Sequence, residues 1–251
     1  MRTLRYLLPA AALALASCGT DKDLPPLLNN GATNSSSGKA ESIYQEAKSA
    51  DASGKTSRAA KLYGKAADEA PVFPHAPEAR YRQAEILQQE GNVRESFDAY
   101  QEFLTRYNSS SYYQKALDTQ AAMAQAAADG QVKTSFLGLK SRLSNEKIAD
   151  MLAKVRQNAP RSPTAAKAQF TIGKIWESDT SSGSAAKAIT AYRELSADYP
   201  DSPQAPEGQF LIGKILLDEA RRGNHDQANL DRAKEAFQDY LRRYPNHSRA
   251  G

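Results

Sequence analysis

Small, apolar and aromatic residues recur along this chain in a fixed order, with polar and charged residues between them. The segment Gln169-Phe170-Thr171-Ile172-Gly173-Lys174-Ile175 returns as Gln209-Phe210-Leu211-Ile212-Gly213-Lys214-Ile215, 40 residues later, with six of the seven positions identical. Both copies follow the same lead-in, Ser162-Pro163 and Ser202-Pro203, just after Pro160 and Pro200. Self-similarity at a period of 20–50 residues marks a stack of one repeated supersecondary unit. Ala, Gln, Lys, Glu and Arg dominate from Lys39 onward and runs of Val, Ile or Thr are scarce, so the unit is built from helices. The pattern predicts an all-α chain, an α-solenoid of about five helical hairpins.

Each hairpin closes at a Pro or Asn: Pro71, Asn108, Pro160, Pro200 and Pro245. The expected hairpins are therefore about 40–71, 76–108, 111–160, 163–200 and 203–245. In the second, Ala84 and Leu87 lie on the first helix, Gly91 makes the turn, and Ser96, Tyr100 and Phe103 lie on the second. Asn108 stands where the others have Pro, and it ends a helix by taking a left-handed conformation. The first unit carries Ala47, Gly54, Ala59, Tyr63 and Ala66 in the same order. The fourth carries Gly173, Trp176, Ala188, Tyr192 and Leu195, and the fifth Gly213, Leu216, Ala233, Phe237 and Tyr240. Small residues let the paired helices approach, and the aromatic fills the gap to the next hairpin. This small–small–aromatic–Pro order is similar to the tetratricopeptide repeat.

The third unit fits least well. An Ala-rich helix over residues 111–129 is followed by a longer connection, Gly130 to Asn145, before the helix of residues 146–158. Phe136, Leu137 and Leu139 make that connection partly apolar, and it is expected to pack. Shorter turn insertions, Thr180-Ser181-Ser182-Gly183 and Arg222 to Asn229, belong on loops of one face. At Ser248-Arg249-Ala250-Gly251 a further first helix is due, and a stack needs a polar cap on its last hairpin. The expectation is a fragment of a longer chain, or a last hairpin covered by a partner.

The first forty residues read differently. Arg2 and Arg5 precede an apolar run from Leu7 to Ala16, too short to span a bilayer, which reads as a cleaved export signal over residues 1–17. Leu15-Ala16-Ser17-Cys18 resembles the bacterial lipobox, whose cysteine is acylated and becomes the first mature residue. Cys18 is the only cysteine, so no disulfide framework is available. Several acyl chains on one residue give stable membrane anchoring. Gly19 stands where an inner-membrane retention signal places Asp, which favours the outer membrane, with the body facing the periplasm. Pro25-Pro26, Asn29-Asn30-Gly31 and Asn34 to Gly38 give residues 18–39 the composition of a flexible tether, a coil of roughly 25 Å with a limit near 70 Å. Losing Arg2 and Arg5 from 33 basic side chains leaves 31 against 29 acidic ones, too even a balance for nucleic-acid binding.

Catalytic constellations are missing from the sequence. His75, His225 and His247 lie on separate turns with no Cys or His at ligand spacing, so no metal is expected. No phosphate-cradling glycine loop or nucleophile elbow occurs, so no cofactor, small-molecule substrate or enzyme activity is expected. The candidate site is a row on the first helices of the hairpins. Tyr44, Tyr81, Phe170 and Phe210 occupy one repeat position, and Lys48, Glu85, Lys174 and Lys214 follow one helical turn later. Such a row would form a groove for an extended peptide, with rings giving area and lysines favouring a carboxylate. Against this, aromatic stripes at repeat spacing are usually core, and Phe170 and Phe210 would then wedge between hairpins. Tyr44 and Tyr81 are the better groove candidates, because a phenol can stay half wet.

Three helix endings carry a closer likeness: residues 99–108 (AYQEFLTRYN), 192–200 (YRELSADYP) and 237–245 (FQDYLRRYP), with Asp201-Ser202-Pro203 opening the next unit. With the lipobox and tether, these resemble the BamD family, lipoproteins of the β-barrel assembly machinery. The resemblance implies N-terminal hairpins that receive unfolded outer-membrane proteins and C-terminal hairpins that dock on the barrel-forming assembly subunit. It implies a non-enzymatic scaffold in the insertion of β-barrel proteins. The alternative is a periplasmic repeat lipoprotein coordinating cell division or envelope maintenance, of the Tol-associated type. A peptidoglycan-modifying enzyme on a helical scaffold is a third class, and no catalytic constellation supports it.

Overall fold

The computed structural model describes residues 30–131, 133–136, 139–222 and 226–249. The expected leader over residues 1–17, Cys18 and the tether up to residue 29 lie outside the described residues. Ten helices pair into five hairpins among those residues. They are α1 (Asn30–Ala52) with α2 (Thr56–Glu69), α3 (Ala76–Gln89) with α4 (Val93–Arg106), and α5 (Tyr113–Ala128) with α6 (Asn145–Asn158). Then follow α7 (Pro163–Ser178) with α8 (Ser184–Asp198), and α9 (Ala205–Arg222) with α10 (Gln227–Arg243). No helix among the described residues is long and apolar enough to cross a membrane.

Helix endings follow the closing residues. The C-caps Ala70, Ala159, Tyr199 and Tyr244 each stand one residue before a proline, and Tyr107 stands before Asn108. A following proline disfavours the helical region for its predecessor, and Ala70 sits at ψ 90 and Ala159 at ψ 63. The turns inside the first two hairpins use Gly54 (φ 71) and Gly91 (φ 76), a left-handed conformation that costs glycine nothing. Ser162 caps α7, its hydroxyl accepting from the Ala165 amide at 3.1 Å, with Pro163 at the first helical position.

The hairpin interior is made by the small–aromatic exchange. Ala59, Ser96, Ala188 and Ala233 are buried on α2, α4, α8 and α10, and four residues later Tyr63, Tyr100 and Tyr192 are buried as well. Each of those phenols donates to the end of its partner helix: Tyr63 to Asp51, Tyr100 to Gln88 (3.1 Å) and Tyr192 to Glu177 (2.8 Å). The ring of Tyr192 lies where a Cβ on Gly173 would stand, so the glycine is what admits it. First helices form one layer, with α7 touching both α5 and α9. Second helices form the other, with α4 touching α6. The apolar core runs in two clusters that meet at Ile172 on α7.

The expected all-α solenoid is what the chain forms, with two local departures. Helix α1 begins at Asn30, inside the expected tether of residues 18–39. None of residues 35–39 is buried. Once Ala40, Tyr44 and Ala47 fix the helix by packing, each added turn needs only propagation. The other departure lies in the long third connection, where strands β1 (Lys133–Phe136) and β2 (Leu139–Arg142) pair antiparallel, Lys133 opposite Arg142 and Phe136 opposite Leu139. Thr134 and Phe136 are residue types that suit a strand, and four residues a side fall within the usual range of strand lengths.

The third hairpin joins the second through amides instead of an aromatic wedge. Gln120 on α5 is fully buried and donates to the Gln101 carbonyl oxygen on α4 at 2.8 Å. Asn158 at the end of α6 donates to both, to Gln101 Oε1 at 2.8 Å and Gln120 Oε1 at 2.7 Å. Every member is engaged, the condition under which a buried polar cluster fixes one register.

Candidate peptide-binding face

The first-helix layer carries the predicted row, and its members are not equivalent. Tyr44 is 1% exposed and Tyr81 3%, whereas Phe170 and Phe210 are half-buried. This differs from the expectation that the phenols stay half wet. The reason is that each is covered by a ring from the loop after its own hairpin. The His75 imidazole stacks flat on Tyr44, centroids 4.7 Å apart and planes at 2°, while Tyr63 and Phe73 close the other sides. Tyr112 stacks on Tyr81 at 4.7 Å and 15°, with Tyr100 and Phe103 edge-on behind.

The outer members of these stacks face solvent. Tyr112 is 37% exposed and the His75 side chain 44%. A lysine stands over each inner ring: Lys48 at 5.6 Å from the Tyr44 centroid and Lys115 at 5.4 Å from Tyr81, within cation–π range. The surface offered here is thus His75, with Glu41 and Glu78 each 3.8 Å from its ring nitrogens, Tyr112, Lys48 on α1 and Lys115 on α5. Sequence reasoning from helices missed His75 and Tyr112 because they sit in loops. Their signal was the shared offset: each follows its inner ring by 31 residues.

Charges on this layer are largely paired with one another. Asp51 on α1 accepts from Arg82 on α3 at 2.8 Å, Arg82 also meets Glu85 at 3.2 Å, and Glu85 meets Lys115 on α5 at 3.2 Å. The Arg82 guanidinium holds the Asp51 carboxyl below its ordinary range. Burial, followed by the Asp51 charge, pushes the Tyr63 phenol up to about 12. Burial likewise raises Tyr44 and Tyr81, so these phenols are neutral at ordinary pH. Lys174 and Lys214 share one carboxylate, Glu177, at 3.0 and 3.3 Å. Burial works to raise that carboxyl, and hydrogen bonds from Lys174, Tyr192 and Lys214 outweigh it, leaving the group lowered. Lys214 thereby ties α9 to α7, while Lys174 meets the same carboxylate within α7. In the last hairpin the Arg249 guanidinium lies 4.7 Å over Phe210, and Phe170 leans on Tyr192 at 5.7 Å.

Among the described residues no group of three or more His, Cys, Asp or Glu is arranged to hold a metal ion. What the face offers is flat aromatic area edged by lysine, with neutral phenols beneath.

Comparison with known proteins agrees with the repeat unit. Two tetratricopeptide-repeat family models match, one over residues 44–111 and one over residues 208–247, so both ends of the stack are tetratricopeptide-like. No curated protein matches the sequence. Among solved structures, MamA (residues 41 to the end) of Desulfovibrio magneticus is 15% identical, with 84% of this chain and 97% of that one covered and a TM-score of 0.34. A thermophilic tetratricopeptide-repeat protein of Thermus thermophilus is 17% identical, with 84% and 94% covered and a TM-score of 0.34.

Proposed function

We propose that this chain is a protein-binding scaffold, held at the periplasmic face of the outer membrane by acyl chains on Cys18, that serves the assembly of β-barrel proteins. The observation that carries the binding role is the pair of stacked rings in repeat register, Tyr44 under His75 and Tyr81 under Tyr112. Each inner ring fixes an outer one in a set orientation, so the aromatic surface is in place before a partner arrives and little ordering cost remains. Extended segments of an unfolded outer-membrane protein, which alternate apolar and polar side chains, suit that surface.

The membrane half of the reading is supported by the sequence, by the charged-then-apolar leader and Leu15-Ala16-Ser17-Cys18. The assembly role is supported by the helix endings that resemble the BamD family. Docking of the C-terminal hairpins on a barrel-forming subunit follows from the same resemblance. One experiment addresses both: photo-crosslinking from position 112 in intact envelopes, in the native chain and in Cys18→Ser. Adducts with unfolded barrel precursors that fall away when Cys18 is replaced support the reading. Adducts with a Tol or division protein instead favour the envelope-maintenance role, and overturn the assembly role.

A further inference from the structure

The fourth and fifth hairpins repeat one another closely enough that a place where they differ is informative. In the fourth, the buried Gln169 on α7 seats its amide nitrogen on two acceptors of α8, the Ala191 carbonyl at 2.9 Å and the Glu194 carboxylate at 3.0 Å. The ring lying against each helix glycine sets the register, Tyr192 on Gly173 and Phe237 on Gly213. In that register Gln209 matches Gln169, Ala236 matches Ala191, and Asp239 matches Glu194.

The fifth hairpin does not complete the pattern. Asp239 is taken by Arg242 on its own helix. Gln209 is only 7% exposed, yet its amide makes no hydrogen bond to the described residues. Where the bond would close there is instead a cavity of about 410 Å³ between α8 and α10, with α9 as its floor. Ile212 and Leu216 supply an apolar base, and Ala236 a shallow wall. Arg193 from α8 and Arg243 from α10 stand at the rim, and neither has a carboxylate within 4 Å among the described residues. Arg232 also lines the rim and donates to Asn229 at 3.1 Å, while Glu235 is the one acidic rim residue besides Asp239. An amide that opens onto the cavity without a protein acceptor among the described residues, beside two unpaired guanidinium groups, suits a ligand rich in acceptor oxygens.

We infer that the groove between α8 and α10 is a second binding site, in the second-helix layer away from the aromatic row, and that it takes an acidic segment of a protein partner. A carboxylate of that segment pairs with Arg193 and Arg243. A main-chain carbonyl accepts from Gln209, as the Ala191 carbonyl does from Gln169, and an apolar side chain rests on Ile212 and Leu216. Charge complementarity selects this occupant: the rim carries three arginines, and one of its two carboxylates is already spent on Arg242. The inference does not rest on the barrel-assembly role.

The test is fluorescence anisotropy on the full chain with a labelled dodecapeptide, a Leu-Asp-Asp-Leu core in Gly-Ser flanks, against its Leu-Lys-Lys-Leu counterpart. The expected result is saturable binding of the acidic peptide alone, weakened about ten-fold or more by Arg193→Ala with Arg243→Ala. Gln209→Met, of similar volume, weakens binding too, while His75→Ser with Tyr112→Ser leaves it unchanged. No binding of the acidic peptide overturns the inference. So does a loss caused by the His75 and Tyr112 changes, which moves the site to the aromatic face, or indifference to Gln209→Met, which reduces it to diffuse charge. Because Arg193 and Arg243 are exposed, their replacement keeps the test readable if Gln209→Met fails to fold.

Discussion

Replacing Gly173 by alanine sets two effects against each other, and the structure decides the sign. Alanine is favoured over glycine inside a helix by about 1 kcal/mol. Here, however, the new Cβ would stand 2.6 Å from Cδ1 and 2.7 Å from Cζ of Tyr192, and nearer still to its Cε1. The ring cannot withdraw: Tyr192 is fully buried, Phe170 leans on it, and a Cβ at Gly208 would touch it from α9. Overpacking of this kind costs about 1–3 kcal/mol. A displaced ring also loosens the hydrogen bond from Tyr192 to the Glu177 carboxylate, worth roughly 1.5–3 kcal/mol for a charged acceptor. The net is a loss of about 2 kcal/mol, or about 4–8 °C in Tm for a chain of this size. Gly38, on α1, meets nothing within 4 Å of its would-be Cβ, so Gly38→Ala shows the propensity gain alone, up to about 1 kcal/mol of stabilisation. Urea denaturation of the two variants beside the parent reads both. If Gly173→Ala stabilises as Gly38→Ala does, the small–aromatic exchange does not hold the hairpins together.

Other expectations follow from the paired groups. Asp51, Glu90 and Glu177 titrate below their ordinary 3.8, 4.5 and 4.5 in the folded chain, held down respectively by Arg82, by Ser57 with Thr56, and by Lys174, Tyr192 and Lys214 against burial. The unfolded chain therefore binds more protons in acid, and stability rises with pH there. The urea midpoint is expected to be flat from pH 7 to pH 5 and to fall below about pH 4.5 as these carboxyls protonate, with a shallower fall in Asp51→Asn. A midpoint that rises in acid contradicts this. Asn158→Ala removes donors from the half-buried Gln101 and the buried Gln120 and is expected to cost about 1–3 kcal/mol in the same assay with little change in slope.

Much of this architecture was readable because punctuation and packing chemistry are local. Pro71, Pro160, Pro200 and Pro245 stop helices through the backbone of the preceding residue, and Gly54 and Gly91 turn them, whatever lies nearby. The small and aromatic positions show in the repeat period itself, but the ring of Tyr192, expected in the gap to the next hairpin, packs first on Gly173 of its own hairpin and only then against Gly208 of the next. Features that depend on something distant were not readable. The helix over residues 30–39 has no apolar period and exists by continuation of α1. The β1–β2 pair is four residues a side, too short for alternation to stand out. On the candidate face, Tyr44 and Tyr81 read as half-wet phenols because nothing in a helical period says that His75 and Tyr112 fold back over them from loops. Lys214 read as a groove cation open to a partner's carboxylate because Glu177, which it meets, lies 37 residues away on the preceding hairpin.

The central claim, that the stacked rings of the first two hairpins bind unfolded protein, is most directly tested by affinity. An unfolded outer-membrane barrel protein, labelled and kept soluble in urea, is diluted into the full chain and into His75→Ser with Tyr112→Ser, and anisotropy is followed. The account predicts a loss of about ten-fold or more in the double variant, since two exposed ring anchors are removed, with helical circular dichroism unchanged. Equal affinity for the parent and the double variant, at equal helicity, would contradict it.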